Sequence, residues 1–210
     1  MSSHTIPTQG IKYAGSKLKI IPYIVDIISE LGGVRSVLDG FSGSTRVSQA
    51  FARLGYDTTS NDISVWSEVF ATCFLMSTNS DAYYQEIIDH LNNLQGYDGW
   101  FTENYGGEQE QNKRPFQTKN TRKLDAIRDE IEVMNLSWED KCVVLTSLIL
   151  ALDKVDSTLG HYVAYLSGWS ARSYNNLKLQ LPARFPIKDQ NRVIRGDVFD
   201  HLKDRERLLV

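Results

Sequence analysis

Ser36-Val-Leu-Asp-Gly-Phe-Ser-Gly-Ser-Thr45 is the stretch that decides the fold of this chain of 210 residues. Two apolar residues before Asp39 are typical of a buried strand, and the small residues after it predict a tight turn. A helix is predicted next, because apolar residues recur at i, i+3, i+4 and i+7 within residues 47–54. Gly55 then supplies a left-handed helix stop.

A second strand is predicted at residues 56–60, and Asp62 follows it. Strand, turn, helix and strand form the first half of a nucleotide-binding α/β fold, in which an acid about 20 residues beyond the turn binds a ribose. The turn lacks both Gly-x-Gly-x-x-Gly and the Lys-Ser/Thr pair of a phosphate loop. Asp39 at the strand end would repel a pyrophosphate and attract a cation. We therefore expect S-adenosylmethionine, whose charged groups suit Asp39 and whose ribose suits Asp62. The alternative is an ordinary turn with two surface acids.

The composition is that of a soluble globular protein, with 41% hydrophobic and 23% charged residues. The two cysteines, Cys73 and Cys142, belong to no metal-binding or redox motif. We therefore expect neither a zinc site nor a disulfide framework, and a reducing cytoplasm as the location. No apolar run approaches the roughly 20 residues that span a bilayer. A net charge of −3 argues only mildly against nucleic acid, because a local basic patch matters more than the sum.

Periodic apolar residues predict further helices at residues 65–73, 82–94, 124–134 and 137–152, the last with a capping-box-like start at Ser137. Pro22 predicts a break or a helix start within the apolar residues 18–31. Residues 96–115 are rich in Gly, Glu, Gln and Asn and predict a long loop. A last strand is predicted at Val193-Ile194, followed by Gly196-Asp197 and a short helix.

Residues 160–195 are basic and aromatic, with Asp189 as their single acid. This composition is typical of a surface that binds nucleic acid, and it is equally compatible with a solvated basic face over core aromatics. The candidate DNA-binding residues are Tyr162, Trp169, Arg172, Lys178 and Arg184.

Three motifs in order, Lys12-Tyr-Ala-Gly-Ser-Lys17, Asp39-Gly-Phe-Ser-Gly-Ser-Thr45 and Asn61-Asp62, resemble the opening of the Dam-like adenine-N6-specific DNA methyltransferases. Three later stretches also resemble one branch of that family: Phe101-Thr-Glu-Asn-Tyr105, Leu124-Asp-Ala-Ile-Arg128 and Gly160-His-Tyr-Val-Ala-Tyr165. The resemblance covers essentially the whole chain. It implies S-adenosylmethionine as cofactor, double-stranded DNA as partner and a flipped adenine as the methyl acceptor.

The resemblance also implies which residues bind the cofactor: Tyr13, Gly15, Lys17, Asp39, Phe41, Gly43, Thr45, Asp62, Ile63, Asp197 and Val198. Tyr13 and Lys17 are expected at the methionine end, Asp39 at the amino group, and Asp62 and Ile63 at the ribose and adenine. The wall of the loop would be formed by Phe41, Gly43 and Thr45. The adenine edge would be contacted by Asp197 and Val198, after the last strand. The alternative for Tyr13 is an aromatic residue that packs in the protein interior, and the alternative for Asp197 is a helix N-cap. Gly40 replaces the proline usual in the family, which predicts a looser turn.

The sequence departs from the family in having no Pro-Pro dipeptide, and hence no Asp-Pro-Pro-Tyr catalytic motif. In the family this motif follows a strand like Leu208-Leu209-Val210. We therefore expect the catalytic residues beyond Val210 or on a second polypeptide, and none within this chain. The alternatives are a catalytically inactive DNA-binding or specificity module that keeps the fold, and an enzyme that methylates RNA or a small molecule.

The predicted fold is α/β: a Rossmann-like methyltransferase sheet, incomplete at its C-terminus, with a helical insertion for DNA recognition. The predicted cofactor domain comprises residues 1–85 and 190–210, and the predicted target-recognition region comprises residues 86–189.

Overall fold

The computed structural model describes residues 6–12, 15–108, 114–158 and 168–203. Contacts between residues divide the chain into two compact units. The first unit comprises residues 1–10, 15–78 and 182–210, and the second comprises residues 11–14 and 79–181. The domain bounds expected from the sequence stay a prediction. Within the described ranges, no helix is long and apolar enough to cross a membrane.

The described residues form α-helices and β-strands in a mixed order. The strands are β1 (Ser36–Asp39), β2 (Asp57–Asp62), β3 (Gly106–Gly107), β4 (Phe116–Gln117) and β5 (Arg192–Arg195). The helices are α1 (Ile21–Leu31), α2 (Arg46–Arg53), α3 (Val65–Leu75), α4 (Asp81–Asn93), α5 (Trp100–Tyr105), α6 (Thr118–Val133), α7 (Trp138–Leu152) and α8 (Val198–Lys203). Both strand–turn–helix predictions from the sequence, at β1–α2 and at β5–α8, are confirmed.

The first unit is built on a parallel sheet in the order β1-β2-β5. Asp39 pairs with Ser60, and Asp62 pairs with Arg195. Because all three strands run the same way, the turns that follow them meet at one edge of the sheet. This edge is where both acids of the sequence prediction lie.

The helices of the first unit start and stop where their sequence requires it. A 3-10 helix, Lys17–Ile20, precedes α1, and Pro22 lies in the first turn of α1, where proline costs no backbone hydrogen bond. Of the two predicted possibilities, a break or a helix start, the helix start is confirmed. Gly55 has a φ of 87° and ends α2 as predicted. A buried apolar cluster joins α1, β1 and α2: Ile21, Ile28, Val37, Val47, Ala50 and Phe51.

The second unit is mainly helical. Its buried side chains come from α4, α6 and α7, among them Tyr84, Ile88, Leu91, Ile127, Ile131 and Leu148. Ser137 is the N-cap of α7 and accepts a hydrogen bond from the backbone N–H of Asp140, as its capping pattern predicts. The predicted helices at residues 82–94, 124–134 and 137–152 are all confirmed, although α6 begins earlier, at Thr118.

The long loop expected at residues 96–115 is wrong in part, because it contains α5 and β3. The buried carboxylate of Asp125, on α6, accepts hydrogen bonds from the backbone N–H groups of Gly99, Phe101 and Thr102 and from the Thr102 hydroxyl. Asp125 thus satisfies N–H groups that a six-residue helix cannot satisfy itself. Two of the sequence stretches that carry the family resemblance meet here, since both line an apolar cavity of about 270 Å³.

Asp125→Ala is expected to destabilise the protein by about 3 kcal/mol, because it leaves three backbone donors of α5 without their acceptor. Urea unfolding followed by circular dichroism measures this loss. Asp89→Ala is the matched control on the exposed side of α4, and should change stability by less than about 0.5 kcal/mol. Equal losses for the two variants would contradict the capping role.

Candidate functional site

Asp39 ends β1 as a buried acid, with 8% of its surface exposed. Its Oδ2 accepts hydrogen bonds from the Ser48 backbone N–H (3.1 Å) and the Ser48 hydroxyl (2.7 Å), both on α2. Among the described residues, none donates a hydrogen bond to Oδ1. Burial raises the pKa of the Asp39 carboxyl, although the Ser48 hydrogen bonds and the positive charge of Lys17 act in the opposite direction. Ionising Asp39 in this buried position therefore costs free energy, and a cationic ligand would stabilise the ionised form.

Asp62, the last residue of β2, has the opposite electrostatic balance. Burial alone would raise its pKa, but hydrogen bonds from Ser64 and Gly43 outweigh burial and lower it. Its Oδ1 accepts from the Ser64 backbone N–H and hydroxyl, both at 3.0 Å, and its Oδ2 accepts from the Gly43 N–H at 2.8 Å. Asp62 is therefore ionised at neutral pH and joins the turn after β1 to the end of β2. The two acids are close enough for the charge of Asp62 to raise the pKa of Asp39.

The turn between β1 and α2 is held in a strained conformation. Thr45 is fully buried with a φ of 58°, a left-handed conformation that costs a β-branched residue about 1–3 kcal/mol. Its N–H donates to the Ser42 carbonyl at 2.7 Å, and its hydroxyl accepts from Gln49 Nε2 at 3.1 Å. Lys17 Nζ donates to the Phe41 carbonyl at 3.0 Å and so ties the second lysine of the first motif to this turn.

Gly40 is closely packed, and the looser turn expected from its replacement of proline stays a prediction. A Cβ at position 40 would lie 3.0 Å from Cγ2 of Val198, so the space beside Gly40 is already filled. Val198 is itself buried against the turn. Its contact with an adenine edge stays a prediction, and its side chain packs against the turn.

Two large apolar side chains flank the acids without being buried. Phe41, in the turn after β1, is 68% exposed, and Ile63, directly after Asp62, is 78% exposed. Exposed apolar side chains beside a polar site are typical of ligand-binding surfaces.

Of the remaining predicted cofactor residues, two are exposed and one lies outside the described residues. Tyr13 lies outside the described residues. Gly15 is exposed with a φ of 90°. Asp197 is exposed, and its Oδ1 accepts from the Phe199 N–H at 2.9 Å, which is the helix-capping contact that its sequence alone also permits.

The described residues among those predicted to bind DNA are divided between the two units. Tyr162 lies outside the described residues. Trp169, Arg172 and Lys178 belong to the second unit, whereas Arg184 belongs to the first. Trp169 is half-buried and lines a cavity of about 420 Å³ with Tyr174, Lys119 and Arg122, among other residues.

Two of these predicted cations have structural partners. Arg172 forms an ion pair with the buried carboxylate of Asp156 and also donates to the Asp156 carbonyl at 2.8 Å. Arg184 donates to the Ser77 hydroxyl (2.9 Å) and carbonyl (3.0 Å) after α3. Their positive charge alone therefore does not mark a DNA contact. Lys178 is exposed.

Sequence reasoning missed the side chain of Asn61, which is fully buried in β2 and bonded to both neighbouring turns. The available signal was the residue type, since asparagine is uncommon in strands and expensive to bury without partners. Among the described residues, no group of three or more His, Cys, Asp or Glu side chains could hold a metal ion.

Comparison with known proteins places this geometry in a family. The chain is 30% identical over 208 residues to "Modification methylase StsI" of Streptococcus sanguinis, covering 89% of this chain and 31% of that protein. It is 26% identical over 203 residues to "Type II methyltransferase M.NlaIII" of Neisseria lactamica, covering 92% of this chain and 60% of that protein. The chain thus spans less than two thirds of the length of either relative. No solved structure gives a significant match.

The family model of the D12 class N6 adenine-specific DNA methyltransferases matches residues 13–207. The resemblance seen in the sequence motifs is thereby confirmed. Because the match covers most of the chain, this protein belongs to the D12 class of N6 adenine-specific DNA methyltransferases, a family of the restriction–modification type.

Proposed function

We propose that the first unit binds S-adenosylmethionine at the carboxyl ends of β1 and β2, as part of a Rossmann-like methyltransferase sheet. We propose further that the second unit is the helical insertion that recognises double-stranded DNA. The chain would thus supply the cofactor-binding and DNA-recognition parts of an enzyme that methylates N6 of adenine. The observation that carries this proposal is the pair of carboxylates, Asp39 and Asp62, at neighbouring strand ends.

The two acids suit different parts of this cofactor. Asp39 offers Oδ1, which receives no hydrogen bond from the described residues, to the cationic amino group. Asp62 already accepts three hydrogen bonds, two of them at Oδ1. A carboxylate has about four acceptor positions, so Oδ2 can take one ribose hydroxyl without losing a partner. Two hydroxyls would require the Ser64 hydroxyl to move away.

The surrounding residues complete the fit. Lys17 donates one hydrogen bond to the Phe41 carbonyl, and its other N–H groups can reach the cofactor carboxylate. Phe41 and Ile63 offer exposed apolar surface to the adenine and the aliphatic part of the methionine chain. A phosphate-bearing ligand is disfavoured, because two carboxyl groups, of which Asp62 is ionised, stand where a phosphate loop has N–H groups and a lysine. When bound, S-adenosylmethionine supplies the methyl group for transfer.

The chain's own residues would bind and orient this group, and the acceptor adenine would have to reach the same sheet edge. The 210 residues hold no Asp-Pro-Pro-Tyr motif, so we expect the isolated chain to bind cofactor with little or no methyl transfer. An inactive specificity module would also transfer no methyl, and it would need Asp62 to hold the turn but would have no use for the buried acid Asp39. The presence of Asp39 therefore favours the cofactor-binding role.

Asp62→Asn should weaken binding of S-adenosylhomocysteine about tenfold or more, because it replaces an ionised acceptor of the ribose by a neutral amide. Isothermal titration calorimetry on folded protein measures the dissociation constant. Asp57→Asn is the matched control, at the opposite end of β2. It should leave affinity within about twofold of wild type. If the wild-type protein is folded and shows no binding, the cofactor assignment is wrong.

The raised pKa of Asp39 predicts a pH dependence of cofactor affinity. Below its pKa the protonated carboxyl must lose its proton to hold a cationic amine, so affinity should fall on acidification, beginning at a higher pH than for an ordinary aspartate. Asp39→Asn should bind more weakly and lack this dependence. Calorimetric titrations of both proteins across the acidic range measure it.

The stability of the free protein should depend on pH in the opposite direction to cofactor affinity, and it serves as the control. Because the folded-state pKa of Asp39 is raised, the wild-type protein loses stability as pH rises through that pKa. Asp39→Asn should therefore be at least as stable as wild type, with an advantage that grows with pH. A variant that loses both stability and affinity in parallel would contradict the ligand-binding role of Asp39.

DNA recognition by the second unit predicts a salt-dependent effect of Lys178. Lys178→Glu should weaken binding to duplex DNA and reduce the slope of log K against log salt by about one. Fluorescence anisotropy at several salt concentrations measures both quantities. Lys19→Glu makes the same charge change at an exposed position of the first unit, and should have the smaller effect. Equal effects of the two variants would indicate a response to net charge alone.

A further inference from the structure

We infer that Asn61 is a positioning residue of the proposed cofactor site. Its side-chain amide fixes the turns after β1 and β5 to the end of β2, and thereby sets the relative position of the two carboxylates. This inference rests on the proposed cofactor function of the first unit and adds a residue that does not itself touch the ligand.

The geometry joins three strand ends through one nitrogen atom. Asn61 Nδ2 donates to the Gly40 carbonyl at 3.0 Å and to the Gly196 carbonyl at 3.3 Å. Gly40 directly follows Asp39 and β1, whereas Gly196 directly follows β5. These two strands lie on opposite sides of β2 and do not pair with each other. The amide therefore links segments that no ladder hydrogen bond connects.

Backbone hydrogen bonds reinforce the same junction. The Ser42 N–H donates to the Asn61 carbonyl at 3.0 Å, and the Gly196 N–H donates to the Asp62 carbonyl at 3.1 Å. Gly43 N–H reaches the Asp62 carboxylate, as described above. Each turn is therefore held to the end of β2 by one backbone–backbone bond and one bond from Asn61 Nδ2, and the turn after β1 also by the Asp62 carboxylate.

Donating hydrogen bonds to two carbonyls explains why residue 61 is an asparagine. Two carbonyls can only accept, so the side chain between them needs two N–H donors on a short stem, which asparagine alone provides. Aspartate would repel both carbonyls when ionised, and serine has a single donor. Asn61 Oδ1 is buried and has no hydrogen-bond partner among the described residues. Burying this oxygen without a partner costs free energy, which the two hydrogen bonds of Nδ2 offset.

The same sheet contains a natural control. Asn191 is also buried and lies immediately before β5, at the opposite end of the sheet. Its Oδ1 accepts from the Thr58 N–H at 3.1 Å, and its Nδ2 is buried with no partner among the described residues. Asn191 therefore links the starts of β2 and β5, far along the strands from the two acids.

The test compares Asn61→Ala with Asn191→Ala. Both variants remove a buried amide that bridges neighbouring segments, so both should lower the unfolding midpoint. Affinity for S-adenosylhomocysteine, measured by calorimetry where each variant is fully folded, should fall about tenfold or more only for Asn61→Ala. Equal affinities of the two folded variants would reduce Asn61 to a purely structural role and overturn the inference, while leaving the cofactor assignment intact. Absence of binding by folded wild-type protein would overturn both.

A second measurement decides the matter if Asn61→Ala does not fold. Amide hydrogen exchange of the wild-type protein should slow together at Ser42, Gly43 and Gly196 when S-adenosylhomocysteine is added, because the three amides bond to one junction. Protection that rises in the turn after β1 and not at Gly196 would show that the turns are not coupled, and would overturn the inference.

Discussion

The site depends on the hydrogen bonds that hold two turns to the end of one central strand. A parallel sheet brings the carboxyl ends of its strands to one edge, but it does not determine where the following turns point. In this protein that direction is set by bonds from Asn61 and Asp62 to the turns on either side. The same turn contains the strained backbone of Thr45, and Gly40 leaves room for Val198 where a Cβ would crowd it.

The contrast between the two acids gives this edge its chemistry. Asp62 is surrounded by N–H and hydroxyl donors, which hold it in the ionised form and make it part of the framework. Asp39 is buried with fewer donors, and one of its oxygens receives none from the described residues. A carboxylate in this state favours a positively charged partner. One acid thus organises the turn, and the other is available to a ligand.

Local sequence patterns were sufficient for most of the secondary structure. Val47 to Leu54, Pro22 and Ser137 act through neighbours within one helical turn, and their effects could be predicted from spacing. Helix α5 could not, because its capping group, Asp125, comes from α6, more than 20 residues later in the sequence. Because the capping group lies elsewhere in the sequence, the Gly- and Asn-rich sequence around α5 has the local pattern of a loop.

The chemistry of the site was predictable in kind, and its packing was not. Asp39 and Asp62 could be assigned to one edge from the order of strand, turn and helix. The packing of Val198 on Gly40 and the ion pair of Arg172 with Asp156 depend on side chains that meet only in the folded chain. Positive charge in residues 160–195 did not reveal that Arg172 and Arg184 both bond within the protein, and their role in DNA binding stays a prediction.

The most direct test of the account is a side-by-side measurement of thermal stabilisation by S-adenosylmethionine, S-adenosylhomocysteine and ATP at equal concentrations. An acid pair that selects a nucleoside with a cationic amino group and no phosphate predicts a clear rise in the unfolding temperature with the first two ligands and none with ATP. Stabilisation by ATP equal to that by S-adenosylmethionine, or no stabilisation of the folded protein by any of the three, would contradict the account.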